Sequence, residues 1–215
     1  MSREVIVSFI IMFPVLLASL SVHEMAHAWS ADRLGDPTPG AAGRLTLNPL
    51  AHLDLWGTLM LIATFAISQG GFFFGWAKPV PIDPGCLASR RWAETVVAVS
   101  GPGSNLCVAA LCGAVSWGLA SVWPGAAQAV AIAFYLNMVL AILNILPIPP
   151  LDGWRALTGL LPPRHRHGLD RIAPYEQFVF LAFLALVILR PEILSAIFGP
   201  PISAVADVLL PAVAR

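Results

Sequence analysis

An apolar run starting at Val5 passes, without a polar break long enough to end a helix, straight into His23-Glu24-Met25-Ala26-His27. Two histidines four residues apart share one helical face, so both imidazoles can reach one ion, and Glu24 beside them can polarise a water on that ion. The placement limits the fold more than the motif does. Ionisable groups at the end of a bilayer-length segment cost several kcal/mol in hydrocarbon and survive mainly where they have work to do. The run therefore has to pack against other segments that shield these three side chains.

Composition says where those segments come from. Hydrophobic residues make up 58% of the 215-residue chain, charged ones 11%, and mean hydropathy is +0.79, far from the roughly 25% charged residues of soluble domains. This is the composition of an all-α polytopic membrane protein, a helical bundle of about five to six membrane segments. The first run lacks a basic leader beyond Arg3 and a small-residue cleavage site, so it is expected to remain in the mature chain. Basic residues balance acidic ones and never cluster with interleaved aromatics, which argues against nucleic-acid binding. The three cysteines lack metal-type spacing.

Segments able to span need about 20 apolar residues. Candidates cover residues 5–33, 55–77, 92–122, 126–146, 175–189 and 193–213, the last interrupted by Gly199-Pro200-Pro201 and read as two short pieces. Between the first two, Gly43-Arg44-Leu45-Thr46-Leu47 alternates like a short strand. Prolines 79, 81 and 84 keep residues 78–84 extended, and residues 155–171 read as a basic loop. Without a repeat or a soluble insertion, the whole of 1–215 reads as one integral-membrane domain, with a core over 5–153 and C-terminal helices within 172–213.

A hydrolytic zinc site takes three protein ligands and keeps one position open. His52, Asp54, Asp83 and Asp152 are the candidates for the third ligand. Asp152 is the best of them, because it follows the proline-broken end of an apolar helix, where an unpaired carboxylate would be costly. His52 and Asp54 read more simply as surface or capping residues, and Asp83 as part of a turn. Ser104, Asn105 and Asn137 read as interhelical hydrogen-bonding groups.

His23-Glu24-x-x-His27 together with Asn144-x5-Pro150-x-Asp152-Gly153 resembles the paired signatures of the site-2 proteases, the intramembrane zinc metalloproteases. Gly101-Pro102-x-x-Asn105 resembles a third element of that family, and residues 43–49 and 75–81 are similar to segments of its short bacterial members. The resemblance implies that His23, His27 and Asp152 hold one Zn²⁺ per chain, that Glu24 is the catalytic base, and that Asn144 stabilises the oxyanion or positions substrate. It implies cleavage of membrane-anchored proteins within a single transmembrane segment. A substrate helix must unwind before cleavage, and an exposed strand edge could hold it by β-augmentation. Gly43, Arg44, Leu45, Thr46 and Leu47, with Pro150, are the substrate-binding candidates. A zinc scaffold without activity and a metal transporter are the rival functions.

Topology gives a separate expectation. About 18 residues of helix, or some 27 Å, separate Val5 from His23, so the histidines lie near the far end of the first span. Asp152 follows the end of the 126–146 helix, and the two can meet only if 55–77 crosses an even number of times. Twenty-three residues cannot cross twice, so 55–77 is expected to form a re-entrant hairpin turning near 68–71. In that topology Arg33, Arg44, Lys78, Arg90, Arg91, Arg155, Arg164, Arg166 and Arg171 share the metal-bearing side, against Arg3 and Arg190 opposite. The positive-inside rule then places the metal toward the cytoplasmic face of the cell membrane and the N-terminus outside.

Overall fold

The computed structural model describes residues 2–87, 92–162, 165, 169 and 171–210; Arg90, Arg91, Arg164, Arg166, His167 and Arg215 lie outside them. Seven helices carry the fold among the described residues: α1 (Arg3–Leu34), α2 (Leu55–Ile67), α3 (Ala93–Ala120), α4 (Pro124–Ile145), α5 (Asp152–Leu160), α6 (Glu176–Leu189) and α7 (Pro191–Leu209), with shorter single turns between them. α1, α3, α4 and most of α7 are long and apolar enough to cross a bilayer, while α2 and α6 are shorter apolar helices. Residues such as Ile10, Leu111, Trp117 and Leu181 point outward, the surface a lipid-facing bundle presents. The chain is a polytopic helical membrane protein.

α1 begins where the Ser2 hydroxyl accepts the Val5 N–H, and stops at Gly35, whose φ of 107° lets the chain turn left-handed while its N–H reaches back to the last carbonyls. α3 and α4 form the main pair and α1 packs along α3. Ala109 of α3, Ala131, Phe134 and Met138 of α4, and Ala206 of α7 with Leu210 after it make one buried cluster. Gly113 is needed there: a Cβ would sit 2.9 Å from that of Leu209.

The region after α1 departs from the sequence expectation in one respect and agrees in another. Residues 43–47 form no strand; the Thr46 N–H bonds back to the Arg44 carbonyl at 2.9 Å and the Arg44 N–H to that of Pro39 at 2.9 Å. The segment is a compact turn with Gly43 at φ 68°, and the buried Arg44 guanidinium is tied to the Ala51 carbonyl. The apolar-polar alternation there reflects a turn that buries one long cation, and no free edge for pairing results. By contrast, 55–77 is a hairpin. α2 runs out to a turn at 68–71, where Gln69 and Gly70 have φ of 57° and 86°, and the chain returns extended. The Thr64 hydroxyl bonds both the N–H and the carbonyl of Phe74 at 2.9 and 3.2 Å, and an isolated antiparallel bridge joins Leu53 to Ala77. The two arms touch through glycine, a Cβ on Gly57 falling 2.1 Å from the Trp76 carbonyl oxygen.

Two further expectations need correction. α7 runs through Pro200 and Pro201 as one helix, a break that apolar helices tolerate when the freed carbonyls are resatisfied. The stretch read as the start of a basic loop is helix α5. Its buried Gly153, Ala156 and Gly159, three residues apart, form a small-residue stripe that lets it lie close to the end of α4 and the start of α3. A Cβ on Gly153 would be 2.1 Å from the Ile145 carbonyl oxygen, and one on Gly159 2.5 Å from the Thr95 hydroxyl.

Candidate metal centre

α1 and α3 are antiparallel, and their register sets the centre. His23 and His27 are four apart on α1; Val97, Gly101 and Asn105 are four apart on α3, so each set forms one helical face. His27 Nδ1 lies 2.8 Å from the Val97 carbonyl oxygen, and His23 Nδ1 lies 2.6 Å from Asn105 Oδ1. Gly101 sits between, and a Cβ there would lie 2.3 Å from His27 Nε2 and 2.7 Å from His23 Cε1. The two imidazoles lie directly against the α3 backbone.

Hydrogen bonding fixes where the protons are. The Val97 carbonyl can only accept, so His27 Nδ1 carries a hydrogen. For His23 the assignment runs through a buried chain. The Asn137 amide nitrogen donates to the Ala133 carbonyl and to the Ser19 hydroxyl, both at 2.9 Å, which leaves Asn137 Oδ1 to accept from Asn105 Nδ2 at 2.8 Å. Asn105 Oδ1 is then the acceptor and His23 Nδ1 the donor. With both Nδ1 atoms protonated, the neutral rings present bare Nε2 lone pairs, 3.1 Å apart. Asp152, the first residue of α5, brings Oδ2 to 3.1 Å from His23 Nε2 and 3.2 Å from His27 Nε2.

Three lone pairs converging in this way repel one another unless a cation lies among them. Zinc at about 2.0–2.1 Å from each donor in tetrahedral geometry separates its ligands by about 3.3 Å, close to the three distances found. The ligand atoms of these three residues can all lie within 4.8 Å of one another, and among the described residues they are the one group of three or more such side chains that could hold a metal. The donor set, two neutral imidazoles oriented through their Nδ1 hydrogens and one carboxylate, suits zinc. His23 and His27 are 4% and 5% exposed, so the cluster is shielded on the helix side.

Glu24 lies one residue on, half-buried, and among the described residues no hydrogen bond or ion pair engages its carboxylate. Asn144, on the last turn of α4, is half-buried and donates to the Leu140 carbonyl at 2.9 Å. Of the other third-ligand candidates, Asp54 caps α2 by accepting the Gly57 N–H at 2.8 Å, and Asp83 accepts the Gly85 N–H at 2.8 Å in a turn. His52 is buried rather than superficial, at 2% exposure, with Nε2 on the Thr46 carbonyl at 2.9 Å. Leu45, Leu47 and Gly43 are exposed on the turn and Pro150 on the loop before Asp152. Sequence reasoning gave Asn105 and Asn137 to helix packing and missed that the first holds a ligand. The spacing of Val97, Gly101 and Asn105 was the available signal.

A polytopic helical membrane protein with a His-His-carboxylate metal cluster against its buried helices is the class defined by fold and geometry. The sequence profile of Peptidase family M50 matches residues 119–189. YwhC of Bacillus subtilis is 38% identical over 174 residues, covering 77% of this chain and 76% of its own length. Rip2 of Mycolicibacterium smegmatis is 35% identical over 185 residues, covering 84% and 67%, and Rip2 of Mycobacterium tuberculosis is 34% identical over 196 residues, covering 89% and 71%. All three carry "zinc metalloprotease" in their names. No solved structure matches the chain. The chain belongs to Peptidase family M50, the site-2 protease family of zinc metalloproteases.

Proposed function

We propose that this metalloprotease cuts membrane-anchored proteins within a single transmembrane segment, using one zinc ion held by His23, His27 and Asp152. The observation carrying this reading is the convergence of the two Nε2 atoms and the Asp152 carboxylate at 3.1–3.2 Å, beside a Glu24 whose carboxylate makes no hydrogen bond or ion pair among the described residues. When bound there, zinc supplies a Lewis acid that polarises a carbonyl and lowers the pKa of water toward about 7. Glu24 accepts the proton of the attacking water and returns it to the leaving amine. Asn144 keeps a second amide hydrogen beyond the one on the Leu140 carbonyl, and we assign it to the oxyanion. Val97 and Asn105 hold the imidazoles in the tautomer that leaves Nε2 free. The distribution of basic residues supports a centre on the cytoplasmic side of the cell membrane with the N-terminus outside.

The test uses the full chain in lipid vesicles with single-span substrate peptides. Glu24→Gln should keep wild-type zinc content and lower cleavage by at least about 100-fold. Undiminished cleavage in that variant would sink the assignment. Zinc flux across the vesicle that survives in Glu24→Gln, with no cleavage by the wild type, would favour the transporter.

A further inference from the structure

The two metal-facing imidazoles are oriented by different kinds of partner. His27 Nδ1 meets a backbone carbonyl, that of Val97, which can only accept and so leaves the ring no choice. His23 Nδ1 meets the side-chain amide of Asn105, whose two ends have nearly the same shape and opposite hydrogen-bonding sense. Turned by half a rotation, Asn105 would present Nδ2 to the ring. His23 Nδ1 would then have to accept, and its hydrogen would sit on Nε2, where a metal needs the lone pair. Asn105 alone does not decide which end faces His23.

The decision is made on α4. Asn105 and Asn137 are both fully buried, so bulk water does not satisfy their amides. Asn137 Nδ2 donates to the Ala133 carbonyl and to the Ser19 hydroxyl, both at 2.9 Å. The carbonyl accepts only, and the Ser19 hydroxyl donates its own hydrogen to the Val15 carbonyl at 2.8 Å, so both neighbours hold the nitrogen end of Asn137 on their side. Its oxygen is left facing Asn105 Nδ2 at 2.8 Å. A longer approach of Asn105 Nδ2 to the Ser19 carbonyl, at 3.4 Å, favours the same orientation. The chain of bonds leaves α1 at Ser19, crosses α4 and α3, and returns to α1 one turn further on at His23.

We propose that Asn137 is a positioning residue of the metal centre: by accepting the Asn105 amide hydrogen it selects the His23 tautomer that leaves Nε2 free. This rests on the zinc reading above. Asn137 touches neither the imidazole nor the metal position, and α4 carries none of the three ligands, yet it sets how one of them presents its lone pair. A packing role would need only the volume of this side chain; tautomer selection needs its oxygen.

Asn137→Leu keeps the volume and removes that oxygen. Asn137→Ser removes it as well, with a hydroxyl short enough to bond back to the Ala133 carbonyl and a smaller disturbance of the bundle. In the full chain in detergent micelles, both should lower zinc affinity about 10-fold. With isotopically labelled histidine, NMR should show the His23 Nδ1–H signal lost or shifted and that of His27 as in wild type. Asn105→Asp gives the coupling test. A carboxylate offers His23 an oxygen whichever way it turns, so in that background Asn137→Ser should cost less than about threefold. Wild-type zinc affinity in Asn137→Ser, an unmoved His23 signal, or disturbance of the His27 signal along with it would each overturn the proposal. So would an equal loss of affinity in the Asn105→Asp background, which would reduce Asn137 to packing. If the wild-type chain takes up no zinc, the zinc reading fails by itself, and the His23 signal in the metal-free chain still decides whether Asn137 orients Asn105.

Discussion

The two flanks of α1 are built differently. On one, the histidines meet α3 and α5 through a buried chain of polar bonds, Ser19 to Asn137 to Asn105 to His23, whose two asparagines are fully buried. On the other, the hairpin lies against α1 through apolar side chains around a cleft, is closed by one isolated bridge, and turns Trp56 and Ile67 outward at 70% and 83% exposure. Every member of the first flank has its hydrogen-bond partners fixed by a neighbour that can act in only one way, so ligand geometry is over-determined. The second flank is apolar and leaves the buried His52 Nδ1 without a hydrogen-bond partner among the described residues. Holding a metal needs the first arrangement.

Gly101 gives the strongest way to break the first flank while sparing the second. In Gly101→Ala the new Cβ would lie 2.3 Å from His27 Nε2. Because the α3 backbone is pinned by its own helix, the imidazole has to leave its place. Zinc affinity should fall by on the order of 100-fold, the upper range for disturbing the groups that orient ligands, and cleavage should fall with it. Metal titration of the purified chain against wild type checks this. Wild-type affinity would mean that the register of His23 and His27 against Asn105 and Val97 does not set the site.

Gly57→Ala is the matching cut on the other flank. Its Cβ would fall 2.1 Å from the Trp76 carbonyl oxygen, forcing the arms of the hairpin apart, a kind of overpacking that costs about 1–3 kcal/mol. Zinc content should stay at the wild-type level while cleavage of a single-span peptide drops several-fold through KM. Equal loss of zinc and cleavage would show that the two flanks are not separable.

The same contrast governs what could be read from the chain beforehand. His23 and His27 are legible because helical spacing fixes their mutual position, and Asp152 because a carboxylate at a proline-broken apolar end needs a cation. The hairpin was legible by parity alone, since Asp152 cannot meet the histidines unless 55–77 returns to its starting side. Residues 43–47 misled because a turn that buries Arg44 and exposes Leu45 and Leu47 has the same alternation as a strand. α5 carries a helical signal in Trp154, Leu157 and Leu160, and was missed because the basic residues from Arg155 onward read as a loop. His52 was hidden because nothing local records that Thr46 and the hairpin enclose it. Contacts made by small residues and by backbone carbonyls leave the weakest trace in sequence.

The smallest effect is expected where the two flanks are joined. Asp36, just beyond α1, is buried, accepts the Thr38 N–H at 2.9 Å with one oxygen, and accepts the Asp83 N–H at 2.8 Å with the other. It thereby ties the exit of the metal-bearing helix to the segment leading away from the hairpin. Burial alone would push its carboxyl up, but the bonds from Thr38 and Asp83 outweigh burial and hold it below the ordinary aspartate value of 3.8. Because the folded value is depressed, the stabilisation is present above the unfolded pKa and is lost as pH falls through the folded one. Asp36→Asn removes the charge and keeps one acceptor oxygen, so it should lower stability by about 1 kcal/mol near neutral pH. The gap to wild type should narrow only at acid pH, below 3.8. Thermal unfolding in detergent across that range measures it, and a gap that stays constant into acid would mean that Asp36 joins the flanks through shape and not through its charge.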